Sequence, residues 1–274
     1  MARAKSSGHN RNHAALLKFV AALQTDRRIR DRDRLFFANG VRNFIQAVDN
    51  AFEIERIFTS ERLLTVPIAQ KLVRQCRRNA VPVETLTPEQ FRALSPNSRA
   101  SGIAAIVRQR WSTIADIMPD AGLCWTLVET VRSPGNLGTL LRTSQAVGGA
   151  GFILIGDAID PYAPEVARAS MGAIYRQRLV RTTWSAVQQW VKEHGCPVIG
   201  ASPDGTEDLH RIPALQNPLL VLGEERRGLT AGQRQLCSSS VRIPMESGTD
   251  SLNLGVAGGL LLYELYRHQR AANS

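Results

Sequence analysis

The chain has 274 residues, 43% of them hydrophobic, which is enough for one large domain or two modest ones. Its cysteines form no Cys-x-x-Cys pair, and His9 and His13 stand in a polar stretch without cysteine, so we expect neither disulfides nor a metal site. The uncharged run Ser251–Tyr263 is too short to span a bilayer, and the N-terminus has no apolar signal core. These features predict a soluble cytoplasmic protein.

The formal net charge of +10 and a sequence pI near 10.2 favour a polyanionic partner, because neutralised phosphates release their counterions. The basic residues cluster in the first third of the chain, at Arg27–Arg34 and Lys71–Arg78. No aromatic-rich amphipathic helix accompanies them, which favours nucleic acid over a membrane surface. We take Arg34, Arg77 and Arg78 as candidate nucleic-acid contacts.

The first half alternates short helical and strand patterns. Apolar spacing predicts a helix in NHAALLKFVAAL and a strand, a turn and a helix in RLFFANGVRNFIQAV. IERIFTS, VPVETLT and SGIAAIVRQ predict strands, with a basic helix between the first two. The pattern indicates a small α/β domain over residues 1–112, and RQRWSTIADIMPDAG is interpreted as the joint to a second domain, residues 113–274.

The second half is more regular. Continuous apolar runs predict strands in LCWTLVETV, GFILIG, PVIGA, PLLVLG and VRIPM. Helical segments alternate with them, beginning near Leu137, Pro164, Trp184, Thr230 and Leu252. Such an alternation indicates an α/β fold, a parallel sheet with helices on both faces.

Three predicted strand ends are rich in Gly, Asn, Ser and Glu, and ligands of open α/β sheets bind at such ends. The first, VRSPGNLGTLLRTSQAVG, lacks both the GxxxxGK[ST] and the GxGxxG spacing, and it places Asn136 as a helix N-cap. The second is VLGEERRGL. The third, IPMESGTDSLNLGVAGGLLLYEL, leads into a helix whose small residues allow a close approach of another backbone. Taken alone, each loop has an ordinary structural explanation.

Together, the three loops resemble the signature motifs of the SpoU branch of the SPOUT RNA methyltransferases. N-x-G-x-x-x-R-[ST]-x-x-x-x-G falls at Asn136–Gly148, G-x-E-x-x-G-L at Gly223–Leu229, and I-P-M with S-L-N at Ile243–Asn253. ARASMGA, at residues 167–173, is similar to the segment that these enzymes carry between the first two motifs. The resemblance covers about residues 121–270, in order and at the family's spacing.

The resemblance implies a homodimer with a C-terminal trefoil knot and S-adenosylmethionine as cofactor. By position, the cofactor would be bound by Ala201, Leu222, Gly223, Ile243, Pro244, Leu252 and Asn253. The implied reaction is methyl transfer to a ribose 2′-hydroxyl of RNA. Arg142 would act as base or as electrostatic stabiliser, and the latter is chemically easier for a guanidinium. The implied catalytic set is completed by Asn136, Glu225, Ser251 and Asn253, and Arg168 is a further candidate for phosphate contact.

The N-terminal half is similar, more weakly, to the ribosomal-protein-like RNA-binding module of family members that act on large-subunit rRNA. That likeness favours rRNA as the substrate, with a tRNA ribose methyltransferase as the alternative. A non-catalytic RNA-binding factor would not need the set of polar residues above. A nicotinamide dehydrogenase is disfavoured by the missing GxGxxG. A housekeeping role and a role in antibiotic resistance both stay open.

Overall fold

The computed structural model describes residues 3–95, 100–212, 215–225, 227–248 and 251–272. The side chains of His9 and His13 lie outside this described part. The chain divides into two compact units: the first is Met1–Gln109 with Tyr162–Arg168, and the second is Arg110–Pro161 with Ala169–Ser274. The boundary between residues 112 and 113 stays a prediction, and nothing in the sequence pattern indicates that residues 162–168 group with the first unit.

The first unit is built on a four-stranded sheet. Its elements are α1 (Arg3–Thr25), α2 (Arg27–Asp33), β1 (Leu35–Asn39), α3 (Val41–Asp49), β2 (Ile54–Thr59), α4 (Pro67–Arg78), β3 (Val83–Thr85), α5 (Pro88–Leu94) and β4 (Ile103–Arg108). The strand order is β1-β4-β2-β3, with β4 antiparallel to β1 and β2, and β3 parallel to β2. The predicted strands and helices are present. The sequence pattern does not predict α2 and α5, because seven residues are too few to show a helical period.

The first basic cluster is largely part of the structure of its own helix. Arg27, Arg28 and Arg32 each pair with an aspartate one to four residues away. Arg30 is 5% exposed and donates a 2.6 Å hydrogen bond to the backbone oxygen of Leu23. These charges are therefore used within the protein.

The second basic cluster lies on the outer face of α4. Lys71, Arg74, Arg77 and Arg78 are exposed and take part in no ion pair among the described residues. The opposite face of the helix is buried through Ala69, Leu72, Val73 and Cys76. An amphipathic helix of this kind presents its cations to solvent. Arg34 is also exposed and ends α2 in a left-handed conformation.

The second unit contains a seven-stranded parallel sheet. Its elements are β5 (Trp125–Val128), α6 (Pro134–Ala146), β6 (Gly151–Ile155), β7 (Arg178–Thr182), α8 (Trp184–His194), β8 (Val198–Ala201), β9 (Glu207–Asp208), β10 (Leu219–Leu222), α9 (Ala231–Leu236), β11 (Ser239–Arg242) and α10 (Leu254–Ala272). The helix α7 (Pro164–Ala169) comes between β6 and β7 in the sequence and belongs, up to Arg168, to the first unit. The strand order is β7-β6-β5-β10-β8-β11-β9, and the registered pairs are all parallel. The predicted parallel α/β sheet is confirmed. The pattern misses β7, whose apolar run is only two residues long between Arg178 and Arg181, and the two-residue β9.

The segment interpreted as the joint is built into the second unit. Ile117 is 1% exposed, and its backbone oxygen accepts a 3.1 Å hydrogen bond from Nε1 of Trp190. The next carbonyl, that of Met118, accepts a 2.8 Å hydrogen bond from Nε1 of Trp125. Buried indole N–H groups need such acceptors, so this segment satisfies two of the core's aromatic residues.

Two helices that follow signature loops begin elsewhere than the pattern predicts. The helix α6 begins at Pro134 with Ser133 as its N-cap, so Asn136 is its third residue and the N-cap assignment of Asn136 is wrong. Proline is favoured at the first helical position because its φ is already helical and it has no N–H to satisfy. The helix α10 begins at Leu254, two to three residues later than predicted. The earlier start of α6 leaves the Asn136 side chain available for a tertiary contact.

The helices α6 and α10 pack closely at glycines of α10. A Cβ atom placed on Gly258 would lie 2.3 Å from Cδ2 of Leu140 and 2.9 Å from Cδ1 of Leu222. Both leucines are buried, so their methyl groups have little room to move. The predicted close approach at this helix is confirmed. No helix within the described ranges is both long enough and apolar enough to cross a membrane.

We predict that Gly258→Ala lowers the free energy of unfolding, because overpacking costs about 1–3 kcal/mol and exceeds the gain in helix propensity of about 1 kcal/mol. Gly259→Ala is the matched control, since its Cβ would lie 3.8 Å from the Thr143 side chain, an ordinary contact. Urea denaturation of both variants measures the difference. A Gly258→Ala variant as stable as Gly259→Ala would contradict the close packing.

Candidate active site

The carboxyl ends of β8, β10 and β11 and the first turns of α10 surround a cavity of about 520 Å³ in the second unit. Small-molecule sites typically occupy about 300–1,000 Å³, so the cavity has the size of a cofactor site. Its walls combine apolar side chains with charged ones. The residues that line it include Ala201, Ser202, Asp204, Leu222, Gly223, Glu224, Glu225, Arg227, Arg234, Val241, Ile243, Ser251, Leu252 and Leu254.

Five of the seven residues predicted to bind the cofactor line this cavity. The five that do are Ala201, Leu222, Gly223, Ile243 and Leu252. Pro244 and Asn253 are not among the lining residues. Two members of the predicted catalytic set, Glu225 and Ser251, also face the cavity. The structure thus brings parts of the second and third signature loops to one place.

The second signature loop is a tight turn at the end of β10. Glu224 and Gly228 exchange two backbone hydrogen bonds, of 3.1 Å from the Glu224 N–H and 2.9 Å from the Gly228 N–H. A Cβ on Gly223 would lie 2.3 Å from the carbonyl carbon of Gly228, so no larger residue fits without moving the turn. The turn fixes the direction of the two carboxylates that follow Gly223.

The first and second signature loops meet through Asn136. Its Nδ2 donates a 3.2 Å hydrogen bond to Oε1 of Glu225, 89 residues away in the sequence. Oε2 of Glu225 is buried and accepts no hydrogen bond from the described residues. Because Asn136 lies in the first turn of α6, this hydrogen bond ties that helix to the cavity wall.

A second link joins the same two loops. Nε and Nη2 of Arg132 both contact Oε1 of Glu224, whose side chain is 14% exposed. Oε2 of Glu224 lies 3.9 Å from Nε of Arg227. Neither Arg132 nor Arg227 was predicted as a site residue, since an arginine in a polar loop carries no distinguishing signal in the sequence.

A further polar link, between Gln233 and Glu129, ties α9 to the segment that follows β5. Gln233, 2% exposed, forms a capping box with Thr230 at the start of α9. Its Nε2 donates a 2.8 Å hydrogen bond to Oε2 of Glu129, just after β5. The T-x-x-Q spacing is a recognisable capping signal, but its second partner, Glu129, could not be found from local sequence.

Asn253 has a structural role in this structure. Its Oδ1 accepts hydrogen bonds of 2.9 Å from the Gly255 N–H and 3.4 Å from the Val256 N–H. These contacts cap the first turn of α10. The asparagine of the third signature loop therefore orients the helix that closes the cavity, and its predicted catalytic role stays a prediction.

Arg142 and Arg168 are exposed and outside the cavity lining. Arg142 lies six residues after Asn136, about 9 Å further along the axis of α6. No hydrogen bond or ion pair with another described residue holds either side chain. Both guanidinium groups therefore face solvent with their donors unused by the described part of the chain.

No cysteine is among the described residues that line the cavity, and the free cysteines near the sheet are not in a reactive form. Burial raises the pKa of Cys124 to about 12 and that of Cys237 to about 11. Sγ of Cys237 donates a 3.0 Å hydrogen bond to the backbone oxygen of Gln233. Thiolates are the nucleophilic form, so these protonated thiols are structural.

The sequence model of the SpoU rRNA Methylase family matches residues 125–263, half of the chain, which include the three signature loops. The chain belongs to the SpoU rRNA methylase family. The family assignment made from the motifs is confirmed.

Relatives of this SpoU methylase extend over nearly the whole chain. It is 28% identical over 255 residues to the 23S rRNA (uridine(2479)-2′-O)-methyltransferase of Streptomyces viridochromogenes, covering 90% of this chain and 88% of that protein. The AdoMet-bound rRNA methyltransferase from Sinorhizobium meliloti is 28% identical, with a TM-score of 0.85 over 92% of this chain and 94% of that one. The SpoU methyltransferase AviRb from Streptomyces viridochromogenes, in complex with AdoMet, is 28% identical, with a TM-score of 0.81 over 94% of this chain and 98% of that one. The fold is therefore shared along its length.

We predict that Asn136→Asp lowers the free energy of unfolding, because it removes the hydrogen-bond donor to Glu225 and puts a second carboxylate beside it. The loss of a hydrogen bond to a charged group costs about 1.5–3 kcal/mol, and like charges at this distance add to it. The free energy of unfolding by urea, measured at pH 8, is expected to fall by about that amount. Gln145→Glu adds the same charge on the same helix and serves as control. Equal stability of the two variants would contradict a structural role for the Asn136–Glu225 hydrogen bond.

Proposed function

We propose that this chain transfers the methyl group of S-adenosylmethionine to a ribose 2′-hydroxyl in large-subunit ribosomal RNA, in the cytoplasm. The observation that carries the proposal is the cavity at which the signature loops converge, with Asn136 and Glu225 in direct contact. Membership of the SpoU family and the rRNA 2′-O-methyltransferases among its relatives support the reaction and the substrate.

The residues of the cavity fit the proposed cofactor. Leu222, Ile243 and Leu252 offer apolar walls for an adenine ring. Two carboxylates that line the cavity, those of Asp204 and Glu225, suit the ribose hydroxyls and the positive charges of an aminoalkyl sulfonium. When bound, S-adenosylmethionine supplies an electrophilic methyl group.

The protein's part in the reaction is to position the reactants and to stabilise charge. A hydroxyl is a poor nucleophile, so accurate placement beside the methyl group and a polarising group are both needed. The guanidinium of Arg142 offers five N–H donors and can stabilise negative charge that develops on the ribose oxygen. Asn136 holds Glu225, and Asn253 holds the start of α10, so the cavity keeps its shape around the reacting atoms.

RNA binding by the first unit is the second part of the proposal. The unpaired cations of α4 form one outer face, whereas most of those of α2 are paired with aspartates. The donors of the α4 cations are not used by any ion pair among the described residues, so we assign the RNA surface of this unit to α4. We assign Arg77 and Arg78 to that surface, and we take Arg34 and Arg168 as further exposed cations for RNA contact.

A homodimer is the third part. Val256, Leu260 and Tyr263 of α10 are 51%, 42% and 61% exposed and share one face of the helix. Such an apolar stripe on a surface helix favours burial against another surface. We assign a second copy of the chain to this stripe, because the same helix also closes the cavity. We also propose the trefoil knot. In the sheet, β11 is separated from β5 by β8 and β10, yet the helix α10, which follows β11, packs against α6, which follows β5.

The function is tested by mapping methylated riboses on ribosomal RNA from cells with and without the gene. Relatives act on uridine or on guanosine, so every ribose of 23S rRNA is scored. We expect one site to lose its 2′-O-methyl group in the deletion strain and to regain it when the gene is restored. An unchanged 23S pattern with a lost methyl group in tRNA would support the tRNA alternative and contradict the substrate proposed here.

For Arg142, we predict that replacement by alanine slows methyl transfer at least about 100-fold while cofactor affinity changes less than about twofold. Interactions made mainly in the transition state give this pattern. Arg142→Lys is expected to rescue little, because an ammonium lacks the planar fork of donors. Single-turnover assays on transcribed 23S rRNA measure the rate, and calorimetry measures cofactor binding. Arg178→Ala, an exposed arginine on the edge strand β7, is the control. Near-normal transfer by Arg142→Ala would make Arg142 an ordinary surface residue.

A further inference from the structure

We propose that Arg132 and Arg227 form a phosphate-binding rim beside the cavity, which holds the RNA backbone next to the ribose that is methylated. We call this pair the arginine rim. The proposal rests on the function proposed above, since it names the part of the RNA that this site contacts.

The arginine rim is organised by one shielded carboxylate. Glu224 is 14% exposed at its side chain and contacts Arg132 through Oε1 and Arg227 through Oε2. The two arginines come from different signature loops, 95 residues apart in the sequence. A single carboxylate thus holds two guanidinium groups at the same edge of the cavity.

The charges do not balance within this group. One carboxylate opposes two cations, which leaves a net charge of +1, whereas Arg108 of the first unit pairs with two carboxylates, Glu53 and Glu55. Arg132 is 49% exposed and Arg227 is 85% exposed, so both retain accessible N–H donors. An exposed ion pair at 3.9 Å contributes little stability, so the Arg227–Glu224 contact alone does not explain the position of Arg227.

The position of the arginine rim matches the demands of the reaction. Arg227 lines the cavity, and Arg132 directly precedes Ser133, the N-cap of the helix that carries Asn136 and Arg142. A ribose presented to this cavity brings its two flanking phosphates with it. Guanidinium groups bind phosphate oxygens in a bidentate manner. The rim therefore has the right chemistry at the place where a phosphate arrives.

The competing explanation is that Arg132 and Glu224 only tie the two loops together. Such a tie would make Arg132→Ala and Glu224→Gln lower stability and cofactor affinity, and it would give Arg227 no role in RNA binding. The salt dependence of RNA affinity separates the two explanations, because each lost phosphate contact lowers the slope of log K against log[salt] by about 0.7–0.9.

The test is the binding of transcribed 23S rRNA to the full-length protein at 50–400 mM KCl. We expect Arg227→Ala and Arg132→Ala each to lower the salt slope by about 0.7–0.9 and to weaken binding about fivefold at low salt. Lys192→Ala removes an exposed cation from α8 and is expected to leave the slope unchanged. Because Arg132→Ala can disturb the loops, Arg227→Ala carries the decision.

Salt-dependent binding by the wild type with an unchanged slope in Arg227→Ala would overturn the arginine rim and leave the proposed function standing. Wild-type protein that binds 23S rRNA without salt dependence, or not at all, would overturn the proposed function and the rim with it. A slope lowered equally by Lys192→Ala would show a general loss of charge and would also overturn the rim.

Discussion

Two consecutive carboxylates at the end of β10 hold the active site together. Glu224 binds Arg132, and Glu225 accepts the hydrogen bond of Asn136, so both side chains of one tight turn reach across to the loop and helix that follow β5. The turn can aim them because Gly223 has no side chain to collide with Gly228. β10 pairs with β5 on one side and with β8 on the other. These pairings fix the position of the turn relative to the ends of both strands.

The rest of the cavity depends on this arrangement and on the packing of α10. Gly258 lets α10 approach Leu140 of α6 and Leu222 of β10, which places the first turn of α10 over the cavity. Asn253 caps that turn through its own side chain. Burial of the glycine face and capping of the helix end thus position Ser251 and Leu252, which line the site. In this structure the asparagine of the third signature loop stabilises the start of α10, and the position of that helix in turn shapes the cavity.

Much of the fold could be predicted from the sequence because its strands are continuous apolar runs. Strands such as Gly151–Ile155 and Leu219–Leu222 are buried along their length, so their hydrophobicity is visible without any structure. The order and spacing of the signature loops also indicated the family.

The contacts between loops could not be predicted in the same way. Glu225, the hydrogen-bond partner of Asn136, is 89 residues away in the sequence. The prediction that Asn136 is an N-cap was wrong because the helix begins earlier, at Pro134. Arg132, Glu224 and Gln233 act through equally distant partners. Basic clusters were visible as composition, but only burial and ion pairing separated the inward Arg30 from the exposed cations of α4.

Calorimetric titration of the purified full-length chain with S-adenosylmethionine tests the central claim most directly. The account predicts one cofactor per chain, without added metal, and a markedly lower affinity when Glu225 is replaced by alanine. A nicotinamide dinucleotide is expected to give no heat. Binding of the dinucleotide, with no response to S-adenosylmethionine or to S-adenosylhomocysteine, would contradict the assignment of this cavity as the methyl-donor site.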